Sequence, residues 1–171
     1  MKIVLCGFMG SGKSSVAAAL SNRLGLKLLE TDILVLASAD LSSISEIFEK
    51  YGEAYFRDLE RQVALQVRNQ ERVVVSTGGG FILNPDNIAD LKYNNGIIFY
   101  LKTSFESIQE RLRHASDRPL FQNTATAEAL FRERLPVYQS CCDHCVTTDN
   151  KSVNNIADQI IELLEKNGET D

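Results

Sequence analysis

Apolar and polar positions in this chain alternate between two periods. Lys2 to Cys6 is a short apolar run that stops at Gly7, and the pattern from Gly12 to Leu24 reads as a helix with Gly25 as its C-terminal stop. Leu26 to Leu29 is a second short strand. Ser43 with Glu46 has the spacing of a capping box and opens a short helix toward Tyr51. Glu53 to about Asn69 predicts a further helix rich in i,i+4 charge pairs, and Arg72 to Thr77 a buried β-branched strand ending at three glycines. Asn84-Pro85 begins a helix with proline at its first position. Ile97 to Leu101 is a fourth strand, and Thr103 with Glu106 boxes the start of the next helix. Thr126 to about Arg134 is helical, His144 to Thr147 is a short edge-like strand, and Val153 to Lys166 closes the chain as a helix. Strands alternating with helices predict an α/β fold with a parallel sheet covered on both faces. Ligands of such sheets bind outside the C-terminal ends of the strands, so the residues just after each strand are the ones to question.

Composition narrows the class. A chain of 171 residues suits one domain, expected over 1–171, and 44% hydrophobic with 24% charged residues is ordinary for a globular one. The net charge of −5 argues against general affinity for nucleic acid or an anionic membrane, and no apolar run approaches a membrane span. Met1 leads directly into a strand with no secretory leader, and four cysteines read as reduced thiols, so a cytoplasmic monomer is expected. Cys141-Cys142-Asp143-His144-Cys145 has metal-like residue types but lacks a second ligand pair at zinc-finger spacing, so these read as ordinary thiols. Cys6 reads as core.

Gly7-Phe8-Met9-Gly10-Ser11-Gly12-Lys13-Ser14 fits G-x-x-x-x-G-K-[ST] at every fixed position, between a strand and a helix. Glycines let successive N–H groups curl around phosphate oxygens, and the helix N-terminus adds partial positive charge. Lys13 is expected to face solvent and reach the β/γ-phosphates of a bound nucleotide, and the Ser14 hydroxyl to ligate Mg²⁺. Gly10, Ser11, Gly12, Lys13, Ser14 and Ser15 are the candidate nucleotide contacts. The strand Val73-Val74-Val75 ends in Ser76-Thr77-Gly78 with no Asp, and Asn150-Lys151-Ser152-Val153 lacks the Asp of a guanine-specific N-K-x-D. These absences favour a small-molecule kinase over a switch or motor protein.

Three constellations follow strands on the acceptor side. In Glu30-Thr31-Asp32, Asp32 can hold Mg²⁺ or accept a hydroxyl proton, or be an ordinary helix N-cap. Glu53, Arg57 and Glu60 have helical spacing, which by itself reads as a solvated, salt-bridged face. Gly78-Gly79-Gly80 allows a ligand to approach bare backbone N–H groups. The polar segment 114–125 reads as a mobile lid carrying Arg118, and lids exclude water. Arg111 and Arg134 are further candidates, each readable alone as a surface residue.

Taken together, G-F-M-G-S-G-K-S, L-E-T-D, I-x-E-I-F, G-E-x-x-F-R-x-x-E, the triple glycine, R-P-L and R-x-P-x-Y resemble the shikimate kinase family from about Lys2 to Leu164. The resemblance implies a P-loop kinase fold with Mg²⁺, ATP and shikimate as its ligands. It also implies transfer of the γ-phosphate to the 3-hydroxyl of shikimate within aromatic amino-acid biosynthesis. By the same resemblance the substrate-binding segment covers about 32–60, and Asp32, Arg57, Gly78, Gly79, Gly80 and Arg134 contact shikimate. Arg118 is then the lid arginine, Arg111 the one that packs on adenine, and Glu60 the carboxylate that holds the substrate-binding arginines. Lys13, Asp32 and Arg118 are the catalytic candidates, and Ser14 and Asp32 the metal candidates. The family often has Asp-Thr-Asp where this chain has Glu30-Thr31-Asp32, and the loop around Lys151 matches poorly. Other small kinases acting on gluconate or a nucleoside monophosphate, and a non-catalytic nucleotide-binding module, are the alternatives.

Overall fold

The structure, a computed structural model, describes residues 1–113, 124–166 and 168. Arg118 and most of the segment expected as a lid lie outside the described residues. Five strands form one parallel sheet in the order β2-β3-β1-β4-β5: β1 (Lys2–Cys6), β2 (Lys27–Glu30), β3 (Val73–Ser76), β4 (Gly96–Lys102) and β5 (His144–Thr147). Seven helices are described: α1 (Lys13–Leu24), α2 (Thr31–Ala39), α3 (Ile44–Arg68), α4 (Pro85–Lys92), α5 (Phe105–Leu112), α6 (Thr124–Cys141) and α7 (Val153–Lys166).

The strands are apolar on both faces, and their two-residue period sorts them. Val4, Cys6, Val73, Val75, Ile98 and Tyr100 face one core with α3, α4 and α6. Ile3, Leu5, Val74, Phe99 and Leu101 face the other, under α1 and α7. On α3, Phe56, Leu59, Val63, Ala64 and Val67 make the buried stripe of an amphipathic helix. Gly52 interrupts α3 with φ 80°, so the expected boundary between two helical segments is present within one continuous stretch. Among the described residues, no helix is long and apolar enough to cross a membrane.

Several local expectations need correction. Thr31–Ala39 is helical, an element the sequence reading leaves unassigned: Val35 buries one face while Ile33 stays 59% exposed. Asp32 is therefore not an N-cap; Glu30 holds that position and Asp32 sits in the first turn, near the positive end of the helix dipole. Helix α5 is capped by Ser104, whose hydroxyl accepts from Ser107 N at 3.2 Å, and not by Thr103, whose hydroxyl meets that of Thr148 at 2.6 Å. Ser43 caps α3 by accepting from Glu46 N, but the Glu46 carboxylate accepts from Ser42, so the box closes one residue early. Helix α6 does not stop near Arg134. It runs through Pro136 to Cys141. An interior proline costs about 3 kcal/mol, and full burial of a large side chain such as Tyr138 is worth about 1.5–3 kcal/mol. Tyr138 and Cys141 are both buried on the far side of the proline, and Leu130, Phe131 and Leu135 are partly buried before and beside it.

The N-terminal ends of the strands are tied by charge. Lys2 is 1% exposed, and its ammonium donates to the carbonyls of Arg68 at 2.6 Å and Tyr93 at 3.0 Å. Asp90, also buried, accepts from Arg61 and from Arg68 at 3.1 Å. Next to this knot, Asn94 and Asn95 take left-handed backbone and Gly96 enters β4 directly against the Leu91 carbonyl, where any Cβ would collide with backbone. Gly96→Ala is expected to lower stability by at least about 1–3 kcal/mol, the usual scale of overpacking, with the nucleotide cleft unaltered. Urea denaturation checks this; an unchanged midpoint would contradict it.

Candidate active site

The C-terminal ends of β1, β2 and β3 open onto a cleft of about 340 Å³ lined by the phosphate loop, Glu30, Asp32, Thr77, Gly78, Gly79 and Arg111. Six expected nucleotide contacts gather here: Gly10, Gly12, Lys13, Ser14, Ser15 and Arg111. Gly12 supplies the φ of 91° that turns the loop into α1, which an L side chain rarely adopts. Lys13 does not face solvent as expected. It is 9% exposed, and its ammonium donates to the carbonyls of Gly7 at 2.8 Å and Phe8 at 2.9 Å. An aliphatic stem packed under the loop, with the charge held at its carbonyls, satisfies a lysine that burial would otherwise penalise.

Ser14 donates its hydroxyl hydrogen to Glu30 Oε2 at 2.7 Å. The longer side chain of Glu30 thus reaches the phosphate loop from β2, across the position where β3 ends without a carboxylate. A hydroxyl and two carboxylates on one cleft wall form the hard oxygen set that suits Mg²⁺.

A second cleft, of about 210 Å³, adjoins the first through Gly12, Ser15 and Arg111 and is closed by Lys151, Val153 and Ile156. Ser11 lines this cleft and not the first. Arg111 donates to the Thr148 carbonyl at 2.9 Å and to Ser11 O at 3.4 Å, so it spans the loop and the segment after β5. Asp149 accepts from Ser104 N at 3.0 Å; burial opposes its charge, but the bonds from Ser104 and Ser107 and the nearby Arg111 hold it below the usual carboxylate range. Thr148, Asp149 and Lys151 gave no strong signal in the sequence, since their loop carries no motif.

The triple glycine lies against the expected acceptor residues one by one. A Cβ on Gly78 would collide with Asp32 Oδ1, one on Gly79 would sit 3.5 Å from Arg134 Nη1, and one on Gly80 would sit 2.5 Å from Arg57 Nη1. Thr31, fully buried, accepts from Gly78 N at 2.8 Å and joins the start of α2 to the glycine run. Arg57 donates to Glu53 at 2.8 Å and to Glu60 at 2.7 Å. The solvated-face reading fails for Glu60, which is 2% exposed on the apolar stripe of α3. Burial raises its carboxyl above the ordinary value and Asp32 adds to this, while Arg57 and Arg134 oppose the rise. The spacing of Glu60 among Phe56, Leu59, Val63 and Ala64 was the available signal for its burial. Arg134 Nε is buried and has no hydrogen-bond partner among the described residues, a donor left for an anion. Cys6 and Cys141 are buried, with Cys141 donating to the Tyr138 carbonyl at 3.5 Å, Cys145 is exposed, and no group of three or more His, Cys, Asp or Glu placed to hold a metal occurs among the described residues.

Comparison with known proteins gives a consistent picture. The shikimate kinase family model matches residues 9–165. A shikimate kinase of Thermodesulfovibrio yellowstonii is 38% identical over 98% of each chain. The structure superposes with a TM-score of 0.89 on a shikimate kinase from Acinetobacter baumannii in complex with shikimate, at 31% identity over 97% of this chain and 93% of that one. A shikimate kinase from Aquifex aeolicus gives 0.81 at 37% identity over 98% of each chain.

Glu53 and Glu60 both pair with Arg57, but their surroundings differ. Glu60→Ala is expected to cost about 1–3 kcal/mol, because it strips a buried partner from a guanidinium. Glu53→Ala, at a 65% exposed side chain, should cost under about 1 kcal/mol. Paired urea titrations check the difference; equal losses would place the two carboxylates in equivalent settings.

Proposed function

The chain belongs to the shikimate kinase family, which phosphorylates shikimate at the expense of ATP, and we propose that its residues divide that work in the following way. The observation that carries the reading is the convergence of Asp32, Arg57 and Arg134 on the backbone of Gly78–Gly80, beside the phosphate loop.

ATP lies along the loop, with its phosphates against the N–H groups from Gly10 to Ser15 and its base in the second cleft between Arg111 and Lys151. The Lys13 ammonium, already held at the carbonyls of the loop, moves from carbonyl oxygens to phosphate oxygens. Ser14, Glu30 and Asp32 would hold Mg²⁺, which when bound neutralises phosphate charge. The Ser14 hydrogen goes to Glu30, leaving the Oγ lone pairs free toward the cleft.

Shikimate has one carboxylate and three hydroxyls. Arg57 and Arg134 form a cationic fork for the carboxylate, and the unpartnered Nε of Arg134 supplies one of its donors. Gly79 and Gly80 let the ring approach the backbone. Asp32 accepts the proton of the 3-hydroxyl as its oxygen attacks the γ-phosphorus and ADP departs. Arg118 neutralises the transferring group in this reading. Catalysis is mostly positioning and electrostatics, as phosphoryl transfer leaves little covalent work for a protein. We also take the chain to be a single domain acting as a monomer in the cytoplasm without nucleic-acid partners, in keeping with its acidic balance and free cysteines.

ADP release with shikimate, set against gluconate and nucleoside monophosphates, tests the reading directly. Turnover with shikimate alone is expected, and Asp32→Asn should bind ATP normally yet lose about 10²-fold or more in kcat. Turnover with another acceptor, or an unchanged kcat in the variant, would defeat it. Gly80→Ala probes the acceptor side without removing a functional side chain. Its methyl displaces the Arg57 guanidinium toward Glu53 and Glu60, so the KM for shikimate should rise about 10-fold while that for ATP stays put. Parallel movement of both KM values would remove Arg57 from the acceptor pocket.

A further inference from the structure

Tyr138 lies one helical turn beyond Arg134 on α6, fully buried, with its ring stacked on Tyr100 at a centroid separation of 5.3 Å and an interplanar angle of 14°. A phenol at such a position needs a partner for its hydroxyl. It has one in the active-site backbone: Tyr138 Oη donates to the Gly79 carbonyl at 2.6 Å. The Arg134 guanidinium borders the same glycine: an ideal Cβ on Gly79 would be 3.5 Å from Arg134 Nη1 and 3.7 Å from Tyr138 Oη. Burial raises the phenol well above its ordinary value, while the charge of Arg134 and its hydrogen bond oppose the rise. The phenol therefore stays protonated at any working pH and remains a donor to Gly79.

The consequence for the site is geometric. Gly79 and Gly80 have no side chains with which to anchor themselves, and a run of three glycines is the least restrained backbone the chain could place there. Thr31 fixes its first N–H. Tyr138 fixes the carbonyl of its second residue, and with it the plane of the peptide whose N–H belongs to Gly80. Arg134 acts on the same phenol, opposing the rise that burial imposes on it, while its own Nε is left unpartnered.

We propose that Tyr138 is a positioning residue for the acceptor. Its hydroxyl locks the Gly79–Gly80 peptide and the Arg134 guanidinium into one arrangement, so that the backbone donor and the arginine fork present themselves to the substrate carboxylate together. Tyr138 touches neither substrate nor nucleotide. This rests on the assignment of shikimate as acceptor and adds to it a residue that acts through two others.

The test is Tyr138→Phe, which keeps the stacked ring and deletes the oxygen, alongside Tyr100→Phe, which alters the other ring of the same stack. Wild-type turnover with shikimate is measured first; its absence would sink the acceptor assignment and not the role of Tyr138 in particular. Given that turnover, Tyr138→Phe is expected to raise the KM and the Kd for shikimate about 5- to 10-fold, with the KM for ATP unchanged. Tyr100→Phe should leave the shikimate constants where they are. Both variants are also placed in an Arg134→Ala background, where removal of the phenol should cost less than twofold, because one of the two groups it orients is gone. An unchanged shikimate KM in Tyr138→Phe overturns the proposal. So does an equal rise in Tyr100→Phe, which would trace the effect to packing of the stack. A full-sized effect of Tyr138→Phe in the Arg134→Ala background does the same, since it would show the two side chains acting independently.

Discussion

Glu60 carries a charge into the core side of α3, where its own burial works against it. The cost is offset by the two guanidiniums around it, Arg57 at 2.7 Å and Arg134 beyond. Each party then constrains the next. Arg57 cannot swing out to solvent without abandoning a buried partner, so its free N–H edge stays against Gly80. Arg134 is drawn to the same carboxylate, which brings α6 up to the glycine run. Asp32 adds a second negative charge that works with burial against the ionisation of Glu60. This wall of the cleft is in this sense a charge network first and a surface second, and Gly78 and Gly80 stand where a side chain would strike its charged members.

The two halves of the site were not equally legible in the sequence. The phosphate loop announced itself because its chemistry is local: a strand, a turn with fixed glycine positions and a helix, all within a short stretch of chain. Lys13 was placed correctly in the loop and wrongly in its exposure, since no pattern reveals that an ammonium will fold under the turn it serves. The sheet emerged from its β-branched runs, and β3 and β4 fall where those runs predict. Helix α2 escaped because four consecutive apolar residues carry no period until one knows that only one face of them is covered.

The residues that meet at the glycine run come from α2, α3, the loop after β3 and α6, and only folding brings them together. Sequence spacing could see the ion pairs along α3 but not that Glu60 shares its face with Phe56 and Val63. Pro136 hid the end of α6 behind a rule that is right for isolated helices. Here the buried residues beyond the proline decide the matter, and one of them is Tyr138, whose hydroxyl reaches into the site. Charges at the opposite ends of the strands, Lys2 and Asp90, were equally invisible, because their partners are backbone carbonyls and arginines far along the chain.

The crowding around the glycine run also sets the terms on which this pocket could be redesigned. A larger residue at position 78 meets Asp32, and one at position 80 meets Arg57, so neither can change without disturbing chemistry or charge. Position 79 is different: its nearest neighbours stand at ordinary van der Waals distance, and a methyl would fit between Arg134, the Met9 amide and Tyr138. A laboratory search for altered acceptor selectivity thus has one permissive backbone site on this wall. It is the residue whose carbonyl the buried phenol already holds still, so a new side chain there would start from a fixed origin and point in a known direction.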